Sequence, residues 1–238
     1  MIKKLLIVFA SGLVLSVVLL SSAWVIGGPS MLQRIDKDGD FHVGWSDDDD
    51  GRTPMTTRTL AFDAAKPLEV AAPVELHYTK GDAVALSVRG PQKLIDAVLW
   101  ENGRLSLKDH VWFHNHTLKI DITAPRMPDL VYKGAGNIEL ENLDQPTLAL
   151  EMAGAGNIEA RGQVQTLVLH ARGAGNVDLS DLAVRDATVE SAGVGNVDLN
   201  ASGKVDATLS GAGNISLHRK PAELTSRVHG IGSIDEDY

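Results

Sequence analysis

The sequence contains no cysteine. Disulfide bonds are therefore excluded, and so is a lipoprotein anchored through a lipid-modified cysteine. Aromatic residues make up only 5% of the chain, whereas glycine occurs 23 times. This balance favours many tight corners over a broad core built on large rings. Stability must come from packing and hydrogen bonding alone.

Basic residues are also in short supply, with 22 Lys and Arg against 31 Asp and Glu, for a formal net charge of −9. A nucleic-acid partner is not expected, because phosphate binding needs a basic face. The hydrophobic share of 44% in 238 residues is nevertheless enough for a real core. The composition therefore predicts a folded, acidic protein.

Residues 1–28 have the pattern of an export segment: a basic start, an apolar run from Leu5 to Leu20, and small residues up to Ala23. Cleavage before Trp24 fits these small residues. An apolar run counted on to Ile26 is also long enough to span a bilayer as an uncleaved anchor. Both alternatives predict an exported protein of the periplasm or cell envelope, which contacts the membrane through this segment if it is retained.

Residues 29–56 are polar and acidic and have no apolar period, as expected of a linker. Within them Asp36, Asp38 and Asp40 have the spacing of the first three ligands of a calcium loop. Phe41 stands where that loop needs glycine, so we interpret the segment as solvated linker.

One domain is predicted over residues 57–238. Its first half contains short alternating runs, such as Val74, Leu76 and Tyr78, which indicate strands joined by tight turns. Asn102-Gly103 is a hairpin signal. The only helix expected is one turn near Leu94.

The second half repeats one short glycine-rich phrase six times. Its copies are separated by steps of 20, 19, 20, 18 and 19 residues, and they begin at Gly134, Gly154, Gly173, Gly193, Gly211 and Gly230. Six copies at nearly fixed spacing indicate a repeat architecture.

Alignment of the copies on this first glycine gives three apolar columns. Four places after it stand Ile138, Ile158, Val177, Val197, Ile215 and Ile234. Two places further on stand Leu140, Ala160, Leu179, Leu199 and Leu217, with Glu236 closing the column. Four places before it stand Leu130, Leu150, Leu169, Val189, Ala207 and Ser226. Alternating apolar positions predict two short strands per repeat, joined by a Gly-X-Gly corner, and a core that fades toward the C-terminus.

A repeat this short cannot bury its apolar side alone, but stacked coils join those sides into one core. The predicted fold class is therefore all-β, a right-handed single-stranded β-helix or β-solenoid with about 19–20 residues per coil. We interpret the repeated corner as structural. Its asparagines are expected to stack about 4.8 Å apart and to hydrogen-bond through their side-chain amides, in a ladder of Asn137, Asn157, Asn176, Asn196 and Asn214.

These phrases resemble the head-GIN-domain family of auto-transporter adhesins, in which Gly-X-Gly-Asn/Ser-Ile recurs about every twenty residues. The similarity extends from Thr57 to Glu236, and the last copy reads Gly-Ile-Gly-Ser-Ile from Gly230. The resemblance implies a β-helical envelope protein. It supplies no catalytic residues.

An acidic column stands five places after the first glycine and comprises Glu139, Glu159, Asp178, Asp198 and Asp235, with Ser216 in the remaining copy. Stacked coils would align these carboxylates on one outer face. Two alternatives remain open: a solvated acidic surface without a ligand, or a surface ladder in which divalent cations bridge neighbouring carboxylates.

Histidines cluster once, at His110, His114 and His116, where a zinc site would need a tight turn to bring three ligands together. We interpret this segment as a hairpin tip or rim loop. Elsewhere the outward columns mix charges of both signs, and no nucleophile stands beside a base.

We therefore predict a protein that is not an enzyme and carries no cofactor. The expected function is adhesion, or binding of an unknown envelope polymer or protein. The alternative is a polysaccharide-processing enzyme on a β-helix scaffold.

Overall fold

The computed structural model describes residues 54–108 and 117–238. Of this part, 69% is strand and 3% is helix, and its stacked parallel coils form a β-solenoid of about 5 turns. The predicted β-solenoid is therefore confirmed. The described residues belong to the second of two compact units, Gly51–Tyr238. The export segment, the Asp36–Asp40 motif and the His110–His116 cluster lie outside the described residues.

Eight described strands and one helix precede the first Gly-X-Gly corner. They are β1 (Met55–Leu60), β2 (Leu68–Ala71), β3 (Val74–Lys80), β4 (Ala85–Pro91), α1 (Gln92–Ala97), β5 (Val98–Glu101), β6 (Arg104–Leu107), β7 (Leu118–Ala124) and β8 (Leu130–Tyr132). β1 begins two residues inside the segment predicted as linker. The helix matches the single turn expected near Leu94.

One end of the solenoid is closed by elements that are not part of the repeat. β4 pairs in antiparallel fashion with both β1 and β7. Helix α1 follows the fixed φ of Pro91 and buries Leu94 and Ile95. β5 and β6 form the predicted hairpin, with Asn102 and Gly103 at φ values of 51° and 81°. Such positive φ values are what a two-residue hairpin turn requires.

The solenoid begins before the first glycine repeat, which the sequence pattern did not reveal. β3 lies between β7 and the beginning of the first repeated strand, β9 (Ala135–Met152), and pairs in parallel with both. β2 pairs in parallel with β8. The corner of this early coil contains Ala72 and Pro73 instead of Gly-X-Gly, so the signal is absent. Gly134 nevertheless stacks directly on Ala72, because a Cβ atom on Gly134 would lie 1.9 Å from the Ala72 carbonyl oxygen.

The repeated coils contain β9 (Ala135–Met152), β10 (Ala155–Ala171), β11 (Val177–Ser191), β12 (Val197–Ala201), β13 (Lys204–Leu209), β14 (Ala212–Leu217), β15 (Glu223–Val228) and β16 (Ile231–Glu236). Their pairing is parallel throughout and matches equivalent repeat positions, for example Ile158 with Ile138 and with Val177. β9, β10 and β11 each continue through the second corner, where the register shifts. The predicted pair of short strands per repeat is separate only in the later coils, from β12 onward.

The three predicted apolar columns line the core. Val177, Leu179 and Val189 are completely buried, and the same holds for their neighbours above and below. Burial of the core positions decreases in the last coil, as expected: Leu224 and Ile234 are only partly buried and Ser226 is exposed. The core is therefore a narrow stack of aliphatic side chains.

Glycine is required at the corner for two separate reasons. At the first position of the corner, a Cβ atom on Gly154 would lie 2.0 Å from the carbonyl oxygen of Gly134 in the adjacent coil. At the third position, Gly175 has a φ of +139°, and its Cβ atom would lie 1.7 Å from the Gly156 carbonyl oxygen. Only a residue without a side chain permits both this backbone angle and this approach.

Candidate binding groove

The variation in coil length falls on one corner of the solenoid. In every repeat the two core positions after the first glycine have the same spacing, and so does the core position before the next glycine. The difference between 18 and 20 residues is therefore confined to the second corner, which lies between these positions. In solenoids, length variation concentrates in loops on one face, which is often the binding face. The second corner is therefore the candidate binding face of this solenoid.

An open groove of about 540 Å³ runs across the second corner. Its lining comes from five successive coils and comprises Asp144, Gln145, Pro146, Gln163, Val164, Gln165, Ala183, Val184, Arg185, Ser202 and Arg219. Ser202 belongs to the shortest coil, between Gly193 and Gly211. A shorter corner leaves less chain to project outward, which accounts for a depression at this place.

Strand alternation places apolar side chains beneath the groove and polar side chains along its walls. Val164 in β10 and Val184 in β11 are buried and face the core. Their neighbours Gln163, Gln165 and Arg185 are exposed and project outward. The walls therefore present amide and guanidinium groups, which are spaced from coil to coil by about 4.8 Å.

Asp144 is held at one end of the groove by two donors. Lys80 Nζ lies 2.7 Å from its Oδ2 atom, and Gln163 Nε2 donates to its Oδ1 atom at 2.9 Å. These hydrogen bonds, together with the positive charge of Lys80, lower the pKa of the Asp144 carboxyl group. Asp144 is therefore ionised at neutral pH, and its charge is already matched.

The opposite end of the groove is basic. Arg185 is paired with Asp186 at 2.8 Å. The pKa of Asp186 is lowered, first by the backbone N–H of Lys204 and then by Arg185. Among the residues in 54–108 and 117–238, no carboxylate lies within 4.0 Å of a basic nitrogen of Arg219. Within the described part of the chain, the positive charge of Arg219 is therefore not matched by a carboxylate and is available to an anionic ligand.

The predicted asparagine ladder has a different bonding pattern from the one expected. Amide-to-amide hydrogen bonding occurs at one step, where Asn157 Nδ2 donates to Asn137 Oδ1 at 3.1 Å. At the later steps each side-chain oxygen accepts the backbone N–H of the next coil, at 3.0–3.2 Å, in the series Asn157 to Asn176, Asn176 to Asn196, Asn196 to Asn214 and Asn214 to Ser233. The asparagines therefore satisfy the corner backbone, which the Gly-X-Gly turn leaves without a strand partner.

The acidic column stacks in register, from Glu139 through Glu159, Asp178 and Asp198 to Ser216 and Asp235. Its N-terminal half is not purely acidic, because the Arg161 guanidinium contacts Glu159 and lies within 3.6–3.7 Å of Glu139 and Glu141.

In its C-terminal half Asp178 accepts the Ser180 hydroxyl at 2.6 Å, and His218 Nε2 lies 2.9 Å from Asp198. Within the described ranges no group of three or more His, Asp or Glu side chains has the arrangement of a metal site. The cation ladder stays a prediction.

The remaining outward columns form ordinary ion pairs. His170 Nδ1 lies 2.9 Å from Glu190, and Arg172 lies 2.8 Å from Glu151. None of these residues lines the groove. The groove residues were not predicted from the sequence. The one signal in the sequence that indicates them is the variation in coil length at the second corner.

The family model described as "Putative auto-transporter adhesin, head GIN domain" matches residues 66–221. This range contains the early coil, five of the six repeated corners and the whole groove. The chain belongs to the head GIN domain family. The resemblance read from the repeats is thereby confirmed, and it is consistent with a surface or envelope protein. No protein of curated function matches the chain.

The chain is similar to several solved structures. A putative adhesin from Bacteroides fragilis aligns over 76% of this chain and 96% of its own length, at 21% identity and a TM-score of 0.63. A putative lipid binding protein from Parabacteroides distasonis aligns over 77% and 97%, at 19% identity and a TM-score of 0.37. A putative adhesin from Parabacteroides merdae aligns over 78% and 97%, at 13% identity and a TM-score of 0.42. The likeness to the Bacteroides fragilis protein, at this identity, is one of fold. No helix in the described residues has the length and apolar character needed to cross a membrane.

Proposed function

We propose that this head GIN domain is a non-enzymatic binding module of the cell envelope, exported by its N-terminal segment, and that the groove at the second corner holds an extended surface polymer. The observation that carries the proposal is a continuous groove across five coils, lined by amide and guanidinium groups. Four spacings of about 4.8 Å give it a length of roughly 19 Å, which suits several units of a chain-like ligand.

Recognition in this groove must use side chains. Most backbone N–H and C=O groups of β9, β10 and β11 are engaged between coils and run along the solenoid axis. A peptide strand laid along the groove would therefore find few free backbone partners, and its repeat of about 3.4 Å does not match the coil spacing of about 4.8 Å. These arguments favour a glycan over an extended peptide.

The groove chemistry suits an acidic glycan. The amide of Gln165 offers both a donor and an acceptor to neighbouring hydroxyl groups. Arg219 presents a planar set of N–H donors that matches a carboxylate or sulfate group. None of the described residues that line the groove is aromatic, so hydrogen bonds and charge, rather than ring stacking, would provide the affinity.

Binding without cleavage is the expected outcome. Among the described residues that line the groove, Asp144 is the single carboxylate, whereas most glycoside hydrolases place two carboxyl groups on either side of the scissile bond. The lowered pKa of Asp144 also makes it a poor general acid at neutral pH.

The experiment is incubation of the purified protein with a panel of neutral, carboxylated and sulfated polysaccharides, read by co-sedimentation and by chemical analysis of chain ends. We expect co-sedimentation with acidic polymers, weakening as salt is added, and no new chain ends. New reducing or unsaturated ends would instead support the polysaccharide-processing alternative. If the protein bound none of these polymers, the proposal of a glycan ligand would be rejected, and a protein partner would be the remaining candidate.

A further inference from the structure

Among the described residues, no strand pairs with the outer side of the last coil, which contains β15 and β16. Among the described strands, β15 pairs only with β13 and β16 pairs only with β14. The opposite end, in contrast, is covered by α1 and by antiparallel strands. Repeat proteins need a cap at each end, because the last coil otherwise exposes core side chains and unpaired backbone groups.

Apolar surface is exposed at this end. Val228 is 45% exposed, and Leu224 and Ile234 are only partly buried, whereas the equivalent positions in the preceding coil are fully buried. β15 contains neither proline nor lysine, the residues that commonly prevent an edge strand from pairing. A partner that covers this edge would remove the exposed apolar area from water.

The free backbone groups of β15 can be assigned by strand alternation. Glu223 and His229 donate their backbone N–H groups inward, to Gly203 at 3.2 Å and to Leu209 at 2.8 Å. The residues between them alternate, so Leu224, Ser226 and Val228 direct their N–H and C=O groups to the open side. An added strand would therefore bond to these three residues.

We propose that the open edge binds a second copy of this chain, with the two β15 strands antiparallel about a two-fold axis at Thr225. In this register Leu224 lies opposite Ser226 of the second copy, so the free N–H and C=O groups of both residues meet. Glu223 lies opposite Arg227 of the second copy in a non-hydrogen-bonded pair of the antiparallel ladder. Side chains approach more closely in such a pair than in a hydrogen-bonded one. The edge is thus complementary to itself in hydrogen bonding and in charge.

Neighbouring charges strengthen the argument for a second copy over an unrelated strand. Glu223 lies 3.3 Å from Lys204, and Arg227 donates to Asp206 at 2.7 Å. Pairing of two copies therefore places a row of four charges of alternating sign on each side of the two-fold axis. Each row consists of Lys204 and Glu223 of one copy, followed by Arg227 and Asp206 of the second copy. Alternation of this kind favours association and selects the register.

The test is charge reversal with rescue, read as molar mass by light scattering of the full-length chain in mild detergent. The wild type should be a dimer. Glu223→Arg and Arg227→Glu should each weaken the dimer about tenfold or more, because like charges then face each other across the axis. The double variant Glu223→Arg, Arg227→Glu should dimerise again. Glu190→Arg, an exposed reversal on β11, serves as the matched control and should leave the dimer intact.

Circular dichroism on each variant verifies that the solenoid remains folded. A monomeric wild type would overturn the proposal. Equal masses for the single and double variants would overturn it as well, since any association would then use another surface, such as the N-terminal segment.

Discussion

The side-chain oxygen of Asn176 accepts the backbone N–H of Asn196 in the next coil at 3.0 Å. The repeated asparagine thus completes the hydrogen bonding of the coil above it, and this structural need explains its presence in nearly every copy. Asn137, at the start of the ladder, differs because its oxygen accepts a side-chain amide from Asn157.

This difference gives a prediction with an internal control. Asn176→Ala should lower the free energy of unfolding by about 1 kcal/mol, because a corner N–H group loses its partner. Asn137→Ala removes the same chemical group from the same column but leaves every backbone N–H satisfied, so its effect should be smaller. Denaturant unfolding of both variants measures the difference. Equal losses would contradict the assigned role of the ladder.

Val177→Asp should destabilise the solenoid by about 4 kcal/mol or more, or prevent folding, because it places an unpaired carboxylate in a thin aliphatic core. Val177 is 0% exposed. Thr188→Asp, at an exposed position of the same strand, introduces the same group and should change stability little. A Val177→Asp protein that melts with the wild type would show that the core columns are misassigned.

Stability should fall in acid, and Ser180 should contribute to this fall. The Ser180 hydroxyl group, followed by the Ser180 backbone N–H, lowers the pKa of Asp178 in the folded state. A group with a depressed folded pKa stabilises the protein above its unfolded pKa of about 3.9, and this contribution is lost as pH falls through the folded pKa.

Ser180→Ala should therefore melt below the wild type at about pH 5, and the difference should shrink as the pH falls below about 3.9. Ser210→Ala, an exposed serine without this contact, is the control. A deficit for Ser180→Ala that persists unchanged at low pH would assign its effect to packing instead of to Asp178.

The acidic column can be tested with calcium. Arg161 already bridges Glu139, Glu141 and Glu159, and Asp178 is engaged by Ser180. We therefore expect the wild type and an Asp178→Asn, Asp198→Asn variant to respond equally to about 10 mM calcium, relative to sodium at matched ionic strength. Calcium stabilisation of the wild type alone would establish the cation ladder.

The repeat spacing was sufficient to predict the β-solenoid, because apolar residues at alternate positions in six copies leave few other ways to bury them. The early coil of β2 and β3 was not predicted. Its corner, at Ala72 and Pro73, meets the steric requirement by lying beneath Gly134, so the coil needs no Gly-X-Gly motif of its own. Pairing of β3 with β9 depends on contacts between distant residues, which periodicity within one segment does not report.

The groove was harder to predict than the fold. Gln163 and Arg219 share no repeat column, because coil lengths differ at the second corner where they lie. Gln165 and Arg185 do share one, eight places before the next corner glycine, but the same position is Gly203 in the following coil. A column alignment emphasises what is common to all coils, such as the asparagines and acidic residues, and these proved mainly structural or paired. The site instead depends on what differs between coils.

The most direct test of the proposed function is the affinity of the full-length protein for an acidic polysaccharide, measured for wild type, a groove variant and a matched control. The groove variant is Gln165→Ala, Arg219→Gln, and the control is Thr188→Ala, Arg172→Gln, which changes exposed residues away from the groove. We predict at least about tenfold weaker binding for the groove variant and wild-type affinity for the control. Equal affinities for all three proteins would contradict the assignment of the binding site to the groove.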